Sequence, residues 1–143
     1  MADAALLGCL IGVAANMDAV GLVELKKHGL TQTEHDVLAC ARRQTPSFIA
    51  TPGKLLEEVR ITSGALSICI NRLLERGLVR RVSSEEDQRS KPIQLTGSGI
   101  ALIDEVTEYR FNLAGTIVKV LSATEKSTLK SLLLKLQGAI EKS

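Results

Sequence analysis

The residues best equipped for chemistry gather between Ser63 and Lys91. Ser63, Ser67, Asn71 and Arg72 recur at helical spacing, and Arg76, Arg80, Arg81, Arg89 and Lys91 follow. Hydroxyls, a side-chain amide and guanidinium forks are the partners that phosphates and base edges of duplex nucleic acid accept. From Arg72 to Lys91 six basic residues stand against four acidic ones, and three of the acids lie together at Glu85, Glu86 and Asp87. The cations are therefore not evenly neutralised. Asp87, two residues before Arg89, is placed to orient that guanidinium by a charge-assisted hydrogen bond. An arginine at such a tip suits a narrow A·T-rich minor groove. The plainer reading is a solvated helix face followed by a charged hairpin with weak surface ion pairs. Ile68 tips the balance, because an apolar side chain amid polar ones matches a thymine methyl group.

Other chemistries find less support. His28 falls at a helix end and His35 on a helix face. Neither has a ligand partner four residues on, so both read as surface residues and no metal site is expected. Gly97-Ser98-Gly99 imitates a dinucleotide loop, but Leu102 holds the third glycine position and no βαβ unit surrounds it. Gly53-Lys54 lacks the rest of a P-loop. With no nucleophile motif either, neither an enzyme nor a cofactor is expected. Cys9, Cys40 and Cys69 are odd in number and form no C-x-x-C pair. They indicate reduced thiols and a cytoplasmic location. Leu7, Gly8, Leu10 and Ile11 offer Cys9 no cation or hydroxyl, so it reads as a buried, inert thiol, with a redox sensor as the alternative.

Composition narrows the partner. Of 143 residues 45% are apolar, 24% are charged, and the net charge is only +2. Aromatic residues are 2%: Phe48, Tyr109 and Phe111, with no Trp, against 22 Leu. The core must be aliphatic and helical. Three scattered rings build neither a stacking platform for single strands or RNA nor a cage for a quaternary ammonium. The uncharged run from Ala4 to Ala15 is shorter than the roughly 20 residues of a membrane span and lacks the basic start of a signal peptide. It reads as a buried helix, with no membrane partner.

These residues need elements to hold them. The first helix is expected from Asp3 to Lys27, ending at His28-Gly29. Thr31 to Glu34 fits a capping box that opens a helix to Arg43, and Gln44 to Ala50 reads as a loop around Pro46. Thr51-Pro52 starts a short helix to Val59 with Leu55, Leu56 and Val59 inward. Arg60-Ile61 is a tight turn into a helix capped by Thr62 or Ser63 and ending at Arg76-Gly77. On its wheel Leu66, Ile70, Leu73 and Leu74 face inward, and Gly64, Ile68, Asn71, Arg72 and Glu75 outward. Ser63 and Ser67 lie on one shoulder, Cys69 and Arg76 on the other. Leu78 to Val82 and Lys91 to Thr96 read as strands of a hairpin. A helix-turn-helix followed by such a hairpin makes a mainly α winged helix with a small β-hairpin wing. Thr96 to Gly99 and Ser122 to Glu125 then cap two further apolar helices. The chain reads as one domain, with a winged-helix lobe over residues 30–99. Residues 1–29 and 100–143 read as dimerisation helices, or as helices packed only on their own chain.

Leu30-Thr31-Gln-Thr-Glu34, Thr51-Pro52-Gly-Lys-Leu55, Thr62-Ser-Gly-Ala-Leu66, Asn71-Arg-Leu73, Arg76-Gly-Leu-Val79, Asp87-Gln-Arg89-Ser90 and Leu95-Thr96-x-x-Gly99 follow in an order and spacing that resembles the multiple-antibiotic-resistance regulator (MarR) family. That resemblance implies a homodimeric transcriptional regulator, a repressor as a rule, on pseudo-palindromic double-stranded DNA. It places Ser63, Ser67, Ile68, Asn71, Arg72 and Arg76 with a recognition helix. Arg89 becomes the wing arginine, supported by Asp87 and flanked by Lys91. Members often carry a polar or basic residue where Ile68 and Cys69 stand here, which implies an altered operator preference. The family also implies a small aromatic or other organic effector, for which Arg42, Arg43, Phe48, Tyr109 and Phe111 are the residues available. A peroxide-sensing branch carries a cysteine in its first helix, and Cys9 lies in a comparable segment. A winged-helix module that binds protein and no longer DNA is the reading from another class.

Overall fold

Hydroxyl caps set most of the helix starts. In a computed structural model that describes residues 1–82 and 91–142, the chain forms α1 (Ala2–Lys27), α2 (Gln32–Arg43), β1 (Ile49–Ala50), α3 (Pro52–Val59), α4 (Ser63–Glu75), β2 (Val79–Arg81), β3 (Ile93–Leu95), α5 (Gly97–Val118) and α6 (Ala123–Ile140). Thr31, Thr51, Thr62 and Ser122 each accept a hydrogen bond from the amide three residues on. At α2 and α6 the third residue, Glu34 or Glu125, also returns its carboxylate to the cap amide, so both capping boxes are closed. Thr96 does the same for α5 by accepting from Gly99 at 3.1 Å.

Two helix ends are glycine caps. Gly29 and Gly77 take φ of +65° and +66°, a region glycine enters without a Cβ penalty. At each end the next residue bonds back five positions, Leu30 to the Leu25 carbonyl and Leu78 to that of Leu73. Gly29 and Gly77 likewise bond the carbonyls of Lys26 and Leu74. Both are Schellman caps. Between α3 and α4 the turn is closed by Arg60 in the left-handed region, φ +56°.

The sheet has three antiparallel strands in the order β1-β3-β2. Val79 pairs with Leu95, Arg81 with Ile93, and Ala50 with Ile93 on the other side. The two-residue β1 was read as part of a loop from the sequence. A strand that short shows no periodicity.

The core is a single aliphatic cluster. Leu25 of α1, Leu38 of α2, Leu55 of α3, Leu73 of α4, Ile93 of β3 and Ile103 and Val106 of α5 are fully buried in it. Residues Met1–Thr107 form one compact unit and Glu108–Ser143 a second. The first turns of α5 thus belong to the winged-helix core.

Further readings from the sequence change. The run from Ala4 to Ala15 is not buried. Of all of α1 only Glu24 and Leu25 are, because among the described residues of its own unit nothing packs over its first six turns. Cys9, on that run, is exposed rather than buried. His35 is buried at 8% exposure, and its Nδ1 lies 3.0 Å from the Asp36 carboxylate. It falls on the side of α2 that turns inward with Leu38, three residues on.

Candidate nucleic-acid interface

α4 is a two-faced helix. Leu66, Cys69, Ile70 and Leu73 are buried, while Ser63, Gly64, Ser67, Ile68, Asn71, Arg72 and Glu75 are exposed. The exposed residues form a continuous face of hydroxyls, an amide and a guanidinium around one apolar side chain. Ile68 is 58% exposed, in a helix whose other large apolar residues turn inward. The wheel had put Cys69 on an outward shoulder. It is buried because it stands three residues after Leu66 and four before Leu73, within the inward stripe. Its thiol is pushed up to about 12, first by burial and then by the charge of Glu34.

A cleft of about 230 Å³ runs along this face, lined by Pro52 and Leu56 of α3, Ser63, Ser67 and Asn71 of α4, and Arg81 of β2. Arg81 brings a cation beside three of the residues singled out on α4. The sequence named Arg81 among the cations, and strand alternation could have placed it on this side. Val79 is buried and Arg80 exposed, so period two returns Arg81 to the inner side. Its Nη1 donates to the Lys91 carbonyl at 3.2 Å, closing the base of the hairpin. Arg80 faces the other way and donates from Nε to Gln94 Oε1 at 2.9 Å. Gln94 in turn donates to the Ser47 carbonyl at 2.8 Å. Lys91 is half-buried at the same base. Asp87 and Arg89 lie outside the described residues.

The two arginines at the end of α4 behave differently. Arg72 is well exposed, with Nη1 4.0 Å from Glu34 Oε1. Arg76 turns back onto the protein, donating from Nη1 to the Gly29 carbonyl at 2.8 Å and from Nη2 to the His28 carbonyl at 2.9 Å.

Of the residues assigned to an effector, Arg42 and Phe48 come together. The guanidinium sits 5.0 Å over the ring centroid and reaches the Asp104 carboxylate at 2.7 and 3.3 Å. Arg43 instead holds Glu58 at 2.7 Å. Tyr109 and Phe111 belong to the second unit and are exposed there. Among the described residues no group of three or more His, Cys, Asp or Glu is placed to hold a metal ion.

A MarR family model matches residues 28–90. The transcriptional regulator PecS of Dickeya dadantii is 32% identical over 136 residues, covering 95% of this chain and 80% of that one. The multiple antibiotic resistance protein MarR of Salmonella typhimurium is 30% identical over 108 residues, covering 75% of this chain and 73% of that one. Among solved structures, wild-type MarR from E. coli superposes with a TM-score of 0.73 at 29% identity, over 91% of this chain and 95% of that one. A MarR family protein from Bacillus stearothermophilus reaches 0.78 at 24% identity, over 96% and 94%, and shares the fold.

Proposed function

The chain belongs to the MarR family of DNA-binding transcriptional regulators, and from that premise we propose that it acts as a cytoplasmic homodimeric repressor on a pseudo-palindromic operator. Each copy lays α4 in a major groove. Ser63, Ser67 and Asn71 meet phosphates and base edges there, Ile68 meets a thymine methyl group, and Arg72 meets a phosphate. The hairpin, with Arg89 supported by Asp87 and with Lys91 at its base, reaches a neighbouring minor groove. The observation that carries this reading is the exposed face of α4, polar around one isoleucine on a helix otherwise seated in the core.

A duplex reader of this kind loses affinity steeply as salt rises, because each phosphate contact releases counterions. Genomic fragments titrated against the purified protein at two salt concentrations should show tight, salt-sensitive binding to an inverted repeat. Asn71→Ala should weaken that binding by about 1–3 kcal/mol and relax the sequence preference at one position. A folded dimer that binds no fragment would favour the protein-interaction reading. The stacking of Arg42 over Phe48 supports a small aromatic acid as effector, its carboxylate replacing that of Asp104 on the guanidinium fork. Titrating the same complexes with such acids tests for release.

A further inference from the structure

α1 ends at His28, and a helix end leaves its last carbonyls without partners inside the helix. The Schellman cap engages the carbonyls of Leu25 and Lys26. Those of His28 and Gly29 point instead into the guanidinium of Arg76, at 2.9 and 2.8 Å. Arg76 is itself the residue that caps α4. One side chain therefore joins the C-terminal ends of two helices 47 residues apart in sequence. A cation there also complements the negative pole of α1. Glu34 adds a second brace. It is buried at 4% exposure in the capping box of α2, with Oε2 3.9 Å from Arg76 Nη1 and Oε1 4.0 Å from Arg72 Nη1. The corner between α1 and α2 is thus tied to the last turn of α4 by two hydrogen bonds and two ion pairs.

We propose that Arg76 is a positioning residue, a bracket that fixes the angle of the DNA-reading helix α4 against the exposed apolar helix α1. This rests on the DNA-binding reading of α4 and on α1 lying in the dimer interface. If α1 pairs the two copies, the angle between α1 and α4 sets the distance between the two reading helices. A dimer of this kind reads half-sites at a spacing its own geometry dictates. A bracket that holds the angle narrows the spacings accepted. Lysine cannot replace it fully, because a single ammonium does not span two carbonyls in the way a planar fork does. The competing role is a phosphate contact, and the two roles differ in what salt and spacing do to binding.

The test uses the full-length protein and an operator duplex obtained by genomic selection, with single base pairs inserted or removed at its centre. Arg76→Ala should weaken binding to the native spacing by about tenfold, the scale of lost charged hydrogen bonds. The slope of log affinity against log salt should stay that of the wild type. The loss caused by a one-base-pair insertion should shrink. Arg76→Lys should fall between the two proteins, and it carries the comparison if the alanine variant does not fold. Arg72→Ala serves as the contrast, with a slope shallower by about two, one phosphate contact per copy. A slope shallower by about two in Arg76→Ala, with spacing discrimination intact, overturns the bracket. Hydrogen exchange on the DNA-free protein decides the local claim separately. The amides of Gly29 and Leu30 should exchange at least about tenfold faster in Arg76→Ala, while that of Leu38 does not change. Unchanged exchange at Gly29 and Leu30 overturns the proposal. Wild-type protein that binds no duplex overturns the DNA-binding reading instead, and the exchange result still decides the bracket.

Discussion

Ile68 and Cys69 are adjacent in the chain yet meet opposite surroundings, 58% and 4% exposed. One residue turns a helix by about 100°, and that is enough to move a side chain from a reading face to a core. Burial has a chemical consequence for the thiols. Cys69 is pushed up to about 12. Cys40 is pushed up to about 11, first by burial and then by the carboxylate of Glu58, to which its thiol donates. Both stay protonated and shielded at neutral pH, and the thiol form is a poor nucleophile. An alkylating reagent at pH 8 should therefore leave Cys40 and Cys69 unlabelled in the native protein and label both in urea. Rapid labelling of either in the folded state, read by peptide mass spectrometry, would contradict the packing described for α2 and α4. Cys9 stands apart from them, exposed on α1. Any redox role would fall to it, on access alone.

At the scale of elements, the start of α5 is the tightest joint in the winged-helix unit. Thr96 donates its hydroxyl to the Gly77 carbonyl at 2.6 Å and its amide to that of Leu78 at 3.1 Å. Gly99 then packs so closely that a Cβ would stand 2.0 Å from the Leu78 oxygen. Backbone cannot yield as a side-chain tip does, so Gly99→Ala should cost about 3 kcal/mol or more, measured as a fall in the denaturation midpoint. A neutral result would mean that α5 shifts freely at this joint.

A second joint answers to pH. Glu58 of α3 is held well below the usual carboxylate range, at about 2, by hydrogen bonds from Arg43, Lys54 and Cys40. Its folded value lies below the unfolded one, so the stability it adds is present above about pH 4.3 and lost as pH falls toward 2. Glu58→Gln should flatten the acid limb of the stability curve between those values, by a small amount because the pairs are partly exposed and screened by salt. Denaturant midpoints at pH 3 and pH 6 for both proteins check this.

Only the first joint was partly legible in the sequence, as the cap that Thr96 to Gly99 gives α5. Caps at Thr31, Thr51, Thr62 and Ser122 and stops at Gly29 and Gly77 depend on local chemistry within four or five residues, and local chemistry is written in order along the chain. Arg76 bonding Gly29, Cys40 meeting Glu58 and β1 pairing with β3 are contacts between distant segments. No periodicity within a helix announces them. The candidate site was legible as far as it is one face of one helix. Arg81 joins it only through the sheet.

At the scale of the whole molecule, two long helices expose rows of large apolar side chains. α1 carries an 18-residue stretch of mean hydropathy 1.9 with none of it buried, long and apolar enough by composition to cross a membrane. α6 buries nothing either, though Leu129, Leu132, Leu133, Leu134, Leu136 and Ile140 recur along it. A second copy packed on both would account for the two faces together. A bilayer would account for α1 alone, because α6 alternates its leucines with Lys126, Lys130 and Lys135. Apolar patches of this extent are a mark of protein interfaces, and obligate dimers bury about 2,000 Å² or more in them. Sedimentation of the protein in detergent-free buffer should therefore give about twice the 15.4 kDa of one chain. Leu7→Glu combined with Leu133→Glu should shift it to the mass of one chain and leave the helix content of the winged-helix unit in place. The same double variant should lose about a hundredfold or more in operator affinity, because each copy then holds one half-site without the effective concentration of the other. Wild-type protein that sediments as a single chain, or that stays with the membrane fraction until detergent is added, would overturn the dimer and leave α1 to be explained by lipid.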